Sequence, residues 1–249
     1  LLCVIGIISV VLVLFYRRLK VNMKVLTEAK MDLEEKVQEE KQTISYMERA
    51  IPIELYHEVI QKKENEVQLV PTYLPFAIME MNMNNFNEKI HAMQADEIFE
   101  FINRILLNTV PYVYGRNGIV EKFTRAGFTA FFDKSCEEAL TAAVSIMEVN
   151  LEESKNSSMF DQFAIGLSYG TVLSGLAGIE RRMSLITVSE YTGISSFLQS
   201  IAPKYDAKIL ATGTFCRKIQ NFEQKFNARK LGYIYITATK SLEEIYDIF

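Results

Sequence analysis

The sequence predicts an α+β fold, a sheet with helices packed on one face, carried behind an apolar helix and a parallel coiled coil. Three observations predict it: an uncharged apolar run that opens the chain, a seven-residue apolar repeat after it, and then β-type and helix-type periodicity in the order strand, helix, hairpin, helix, strand. With 249 residues, 49% hydrophobic and 23% charged, the chain can bury one domain of roughly 150 to 200 residues plus an appendage.

The opening run, Leu1 to Tyr16, has no charged side chain, and Arg17, Arg18, Lys20 and Lys24 follow at once. That is the pattern of a spanning helix meeting the cytoplasmic side of a membrane. Tyr16-Arg17-Arg18 is a poor signal-peptide cleavage site, and no polar face interrupts the run as it would in a core helix. Residues 1–18 therefore read as the C-terminal part of a transmembrane helix, in a chain that continues something longer, with the globular part in the cytoplasm. Residues 19–51 then carry Leu19, Leu26, Leu33 and Met47 at one heptad core position and Met23, Val37, Ile44 and Ile51 at the other. Lys30 and Glu40 fall on core positions too, which weakens the coil and suits a signalling helix that changes register; a solvated spacer helix is the plainer reading. Pro52 stops the helix, because it lacks an N–H and restricts Ile51.

Residues 52–249 make the globular domain. After a short helix at Glu54–Lys62, the apolar segment Leu74–Met83 reads as a buried strand. A long helix follows, with Ile90, Met93, Ile98, Phe101, Ile102, Ile105 and Leu106 on its apolar face, ending near Pro111. Gly118–Phe123 and Gly127–Phe132 form a hairpin around Thr124–Ala126, helix Glu137–Val149 comes next, then a strand at Phe163–Tyr169. That order is a ferredoxin-like βαββαβ sandwich. Further strands fall at Leu185–Val188, Lys208–Ala211 and Tyr233–Thr237, with a helix at Ile194–Ile201.

A net charge of −4 gives no electrostatic reason to expect nucleic acid as a partner. The cysteines Cys3, Cys136 and Cys216 are far apart and too few for a disulfide framework, which fits a reducing compartment. His57 and His91 stand at no metal-ligand spacing. The charge runs around Glu34 and Lys62 are read as solvated faces, and the methionines, Met79, Met81 and Met83 among them, as packing.

Three stretches carry a more specific signal. AIPIELYHEVIQKKENE leading to FAIMEMNMNNF resembles the first helix and strand of the class III adenylate and guanylate cyclases, where the strand ends in Phe-x-Asp-Ile-x-Gly-Phe. GIVEKFTRAGFTAFF is similar to that family's Lys- and Asp-bearing hairpin, and FAIGLSYGTVLSGLAGIERR to its Gly-rich strand and loop, with Gly166, Gly170, Gly175 and Gly178 at the family's spacing. The resemblance spans Pro52 to Phe249 and implies the class III nucleotidyl cyclase version of the βαββαβ sandwich.

It also implies a head-to-tail dimer whose sites are shared between protomers. One half supplies two aspartates for Mg²⁺ or Mn²⁺ on a nucleoside triphosphate. The other supplies a Lys and an Asp or Thr that read the base, and an Asn and an Arg that stabilise the transition state. Carried over residue by residue, the metal aspartates fall on Asn82, four residues before Phe86, and on Ala126, four after Lys122. Lys122 matches the base-reading lysine, though a surface lysine is as good a reading. The second base-reading position falls on Ile186, the Asn on Gly193 and the Arg on Phe197. Glu80, two residues back on the same strand face as Asn82, is a candidate displaced ligand.

Both halves thus depart from the family pattern, so a competent partner chain would not complete either composite site. The favoured expectation is a membrane-anchored, dimeric cyclase-like signalling module that has lost nucleotidyl cyclase activity, needs no cofactor, and acts by binding a small ligand or a protein partner. Two other readings stay open: a divergent adenylate cyclase converting ATP to cyclic AMP with Mg²⁺ or Mn²⁺, and a purely structural dimerisation module. A diguanylate cyclase is disfavoured, because no Gly-Gly-Asp/Glu-Glu-Phe hairpin occurs.

Overall fold

The computed structural model describes residues 16–20, 22–24, 26–27, 29–38, 40–41, 72–133, 135–156, 163–179, 182–237 and 240–249. The chain divides into two units, Leu1–Lys63 and Glu64–Phe249. In the first, the described residues between 16 and 41 are helical, and Leu19, Met23, Leu26, Leu33 and Val37 of the heptad stripe are exposed on the single chain. Lys36 pairs with Asp32 at 3.0 Å, one turn apart in the favourable order. Residues 1–15, most of the predicted membrane span, lie outside the described residues, as do the C-terminal part of the predicted coil, Pro52 and the predicted helix Glu54–Lys62. Among the described residues, no helix is long and apolar enough to cross a membrane.

In the second unit, β1 (Thr72–Met83) leads to a short α1 (Phe86–Ile90) and then α2 (Ala95–Tyr114). The predicted single helix is thus two. The turn after Ile90 interrupts it, and α2 restarts where the Gln94 N–H is accepted by Glu97 Oε2 at 2.7 Å. Pro111 does not end α2. The helix runs one turn further, because only the bond to the solvated Leu107 end is lost, and Gly115 N–H closes the terminus on the Pro111 carbonyl at 2.9 Å. The hairpin β2 (Gly118–Thr124) and β3 (Gly127–Phe132) follows as predicted, then α3 (Cys136–Asn156).

β4 (Phe163–Ile179) is far longer than predicted and continues through the Gly-rich stretch read as a loop, since β5 (Arg182–Val188) pairs with it from Leu173 to Ile179. Glycine weakens a strand, but an antiparallel partner restores every backbone bond. The chain goes on through α4 (Glu190–Ile201), β6 (Ile209–Thr212), α5 (Gly213–Arg217), α6 (Phe222–Lys225), β7 (Ala228–Ile236) and β8 (Ser241–Ile248), the last absent from the sequence reading.

The sheet order is β2-β3-β1-β4-β6-β8-β7, with β5 beside β4. Its first four strands reproduce the ferredoxin-like pairing. Strand alternation sends Ala77, Met79 and Met81 into a core shared with Phe101 and Ile105 of α2 and with Leu140 and Ile146 of α3. Helices do not stay on one face, however. α4 packs on the other through Ile194 and Leu198, over Ala164 of β4 and Leu210 of β6. Glycine makes this possible: a Cβ on Gly166 would lie 1.9 Å from the Ser195 carbonyl oxygen, so the helix backbone rests directly on the strand.

Candidate functional site

On the α4 side of the sheet, alternation along β1 presents Phe76, Ile78, Glu80 and Asn82. Glu80 and Asn82 share that face as predicted, with Asn82 Nδ2 3.5 Å from Glu80 Oε1. Glu80 pairs across the sheet with Thr129, whose hydroxyl donates to Glu80 Oε2 at 2.6 Å. Burial pushes the Glu80 carboxyl above its ordinary range; the Thr129 hydroxyl and the Lys122 charge pull it back, and Glu121 adds to the rise. The Asn82 side-chain oxygen accepts from Thr124 at 3.0 Å, and Gln199 of α4 donates to Asn84 Oδ1 at 3.0 Å. Gln199 Nε2 also lies 3.4 Å from the Asn82 carbonyl oxygen, so Asn82 is held in a polar cluster with Glu80, Thr124 and Gln199.

Ala126 occupies the turn of the β2–β3 hairpin and is buried in the main core, with its carbonyl accepting Met83 N–H at 3.0 Å. Its side chain offers no donor atom to anything.

A register shift between Val120 and Lys122 interrupts the β2–β3 ladder at Glu121. Thr187 of β5 donates to Glu121 Oε1 at 2.7 Å, while Glu121 Oε2 is buried without a hydrogen bond and lies 3.8 Å from Lys122 Nζ. Sequence reasoning missed Glu121, although a charged side chain breaking the alternation of a strand was the available signal. Lys122 is exposed. Ile186, next to Thr187, is 46% exposed, and Phe197 on α4 is 48% exposed. Gly193 faces open space, with nothing within 4 Å of a built Cβ. Among the described residues no hydrogen bond or ion pair joins Lys122, Ile186, Gly193 or Phe197 to Asn82.

α4 is fastened to this face by its own small polar residues. Ser195 Oγ lies 2.7 Å from Ser168 Oγ and 3.2 Å from the Ile78 carbonyl oxygen, and Ser189 caps the helix by accepting Tyr191 N–H at 3.2 Å.

Divalent cations on a triphosphate need several anionic oxygens facing one point. Here Asn82 contributes one neutral oxygen already engaged by Thr124, Ala126 contributes none, and Glu80 is buried against Thr129. Among the described residues no three His, Cys, Asp or Glu side chains are grouped to hold a metal ion. The donor set does not fit a two-metal site.

Comparison with known proteins places this architecture. The chain superposes on a bacterial light-regulated adenylyl cyclase with a TM-score of 0.74 at 17% identity, over 85% of this chain and 62% of that one. The fold is that of the class III nucleotidyl cyclases. In sequence, the cyclase-type domain is similar to the terminal-differentiation-specific adenylate cyclase of Dictyostelium discoideum, 21% identical over 176 residues, and to an adenylate cyclase of Anabaena cylindrica, 19% identical over 189 residues. These matches cover 67% and 72% of this chain but only 8% and 38% of the respective relatives. No protein-family model matches the chain.

Proposed function

We propose that this chain is a pseudo-cyclase: a membrane-anchored, dimeric signalling module that keeps the cyclase fold, does not cyclise nucleotides, and acts by binding a ligand or a protein partner. The observation that carries the reading is the pair Asn82 and Ala126, where the resemblance requires aspartates. One position holds a neutral amide committed to Thr124, the other a methyl group sealed in the core. The second half of the site supports the same reading. Gly193 and Phe197 provide no donor where an Asn and an Arg are required, and losing one preorganised donor costs about 3 to 4 kcal/mol of transition-state stabilisation.

A dimer is supported by one neighbour in fold, a fungal guanylyl cyclase domain described as a non-canonical dimer. The exposed apolar side chains Phe123, Ile186, Val188 and Phe197 suit a partner protomer, and the exposed heptad stripe suits a parallel coil that passes movement from a membrane helix to the domain.

One observation favours a second reading, an active divergent cyclase. Glu80, on the same strand face as Asn82, and Glu121, 3.8 Å from Lys122, are the two carboxylates that could serve as displaced ligands. Class III cyclases use Mg²⁺ or Mn²⁺ when active. Titration calorimetry of the purified chain with ATP and with GTP, each with and without Mn²⁺, separates the readings. The pseudo-cyclase shows no metal-dependent nucleotide binding. Metal-dependent binding that disappears in Glu80→Gln establishes the second reading instead.

A further inference from the structure

The helical residues between 16 and 41 leave one face uncovered, and its charges narrow what can cover it. In the heptad frame Met23, Lys30 and Val37 hold one core position, a, while Leu19, Leu26, Leu33 and Glu40 hold the other, d. The apolar members of this stripe, Leu19, Met23, Leu26, Leu33 and Val37, are all exposed on the single chain. Its two charged members differ in sign. Lys30 has an ion-pair partner one turn on in its own helix, Glu34 at 3.7 Å, but both side chains are well solvated there. A solvated pair of that kind contributes little, so it does not neutralise a lysine that pairing would bring to the seam.

We propose that this face takes a different chain, a parallel coiled-coil helix with an acidic side chain opposite Lys30 and a basic one opposite Glu40. The proposal rests on the membrane-anchored reading above, because chains held in one membrane just ahead of Leu19 must run in the same direction. In a parallel pair of identical chains every core layer meets its own copy. Lys30 then faces Lys30 and Glu40 faces Glu40, and at the flank Lys36, at g, faces Lys41, at e, of the copy. Lys41 also lies beside the copy's Glu40, which offsets part of the repulsion at that end. The Lys30 layer has no such relief, since the g residue beside it on the copy is Ala29. A helix of opposite charge at the two layers turns both repulsions into attractions and keeps the leucine seam, which is how coiled coils accept one partner and reject another. A copy running the opposite way would also set Lys30 against Glu40, but it would carry the two membrane ends to opposite ends of the coil.

The probe is this same chain carrying Lys30→Glu and Glu40→Lys, which presents the reversed charges at both layers. Donor and acceptor dyes are attached through Arg18→Cys in a Cys3→Ser background, while Cys136 and Cys216 are buried and stay unlabelled. Energy transfer in detergent micelles is titrated for the parent with itself, for the reversed chain with itself, and for the mixture. The mixture is expected to associate about tenfold or more tighter than either chain with itself. Lys30→Leu alone is expected to tighten self-association of the parent by about tenfold, which checks the repulsive layer without the reversed chain. A parent that pairs with itself as tightly as with the reversed chain would overturn the proposal, as would unchanged self-association in Lys30→Leu. So would parent chains that associate in light scattering with weak transfer, because an antiparallel coil holds the labels about 50 Å apart. That last result would also remove the shared-membrane premise. None of these outcomes bears on cyclisation, which is read separately from cyclic nucleotide formation.

Discussion

Gly166 is the point where α4 meets the sheet, and adding one methyl group there tests that packing directly. In Gly166→Ala the new carbon would lie 1.9 Å from the Ser195 carbonyl oxygen and 2.7 Å from the Gln199 nitrogen. Cβ contacts below 3.0 Å are essentially not found, so the helix must retreat by about 1.1 Å. Overpacking of this kind costs about 1 to 3 kcal/mol. The same retreat breaks the hydrogen bond between Ser195 and Ser168 and the one that Ser195 donates to the Ile78 carbonyl, at about 1 kcal/mol each. The total is about 3 to 5 kcal/mol, or a fall in Tm of about 6 to 20 °C for a domain of this size. Gly193→Ala is the matched control. It sits in the same helix with nothing within 4 Å of the added carbon, so the helix preference for alanine should raise stability by up to about 1 kcal/mol. Differential scanning calorimetry and urea titration read both variants. A loss below about 1 kcal/mol in Gly166→Ala, or destabilisation by Gly193→Ala, would refute the packing described for α4.

Glu80→Gln tests the buried carboxyl. Its folded-state pKa is raised above the ordinary value of 4.5, so its favourable contribution is complete below that value and is lost as pH rises through the folded pKa. The variant keeps an acceptor for Thr129, so it should melt above the parent at neutral pH and match it near pH 4, roughly the unfolded carboxyl's own range, in melts recorded across pH. A difference that grows on acidification would contradict the assignment. Pro111→Ala should stabilise the chain by about 1 to 3 kcal/mol in urea titration, because α2 continues past Pro111 with one ladder bond missing. No gain would mean that the last turn is not helical in solution.

Much of this fold was legible because periodicity is a local signal. The apolar run of β1, the paired short strands around Arg125 and Ala126, and the apolar face of α2 each follow from neighbours in sequence. What escaped depended on distant partners. β8 reads as polar because it carries Glu243, Glu244 and Asp247, yet Glu244 is met by Arg217 and Lys230, and Asp247 by Arg229, all supplied by other elements. The long β4 was hidden by its glycines, which mark a loop until β5 arrives to pair with them. The placement of α4 on the second sheet face depends on Gly166, whose importance appears only when Ser195 is set above it.

The losses expected at Asn82 and Ala126 rest on comparing those positions with a motif, one by one, which the sequence alone allows. Glu121 was not legible, because its burial depends on a ladder irregularity and on Thr187 of a distant strand.

With Asn82 and Ala126 standing where the resemblance expects metal-binding aspartates, the proposed pseudo-cyclase makes no cyclic nucleotide. Its most direct test is product formation by the purified chain, dimerised and supplied with saturating ATP or GTP and either Mg²⁺ or Mn²⁺, followed by chromatography for cyclic AMP and cyclic GMP. None is expected above the uncatalysed background with any pairing of nucleotide and metal. Cyclic nucleotide that accumulates with the parent chain and vanishes in Asn82→Ala would contradict it.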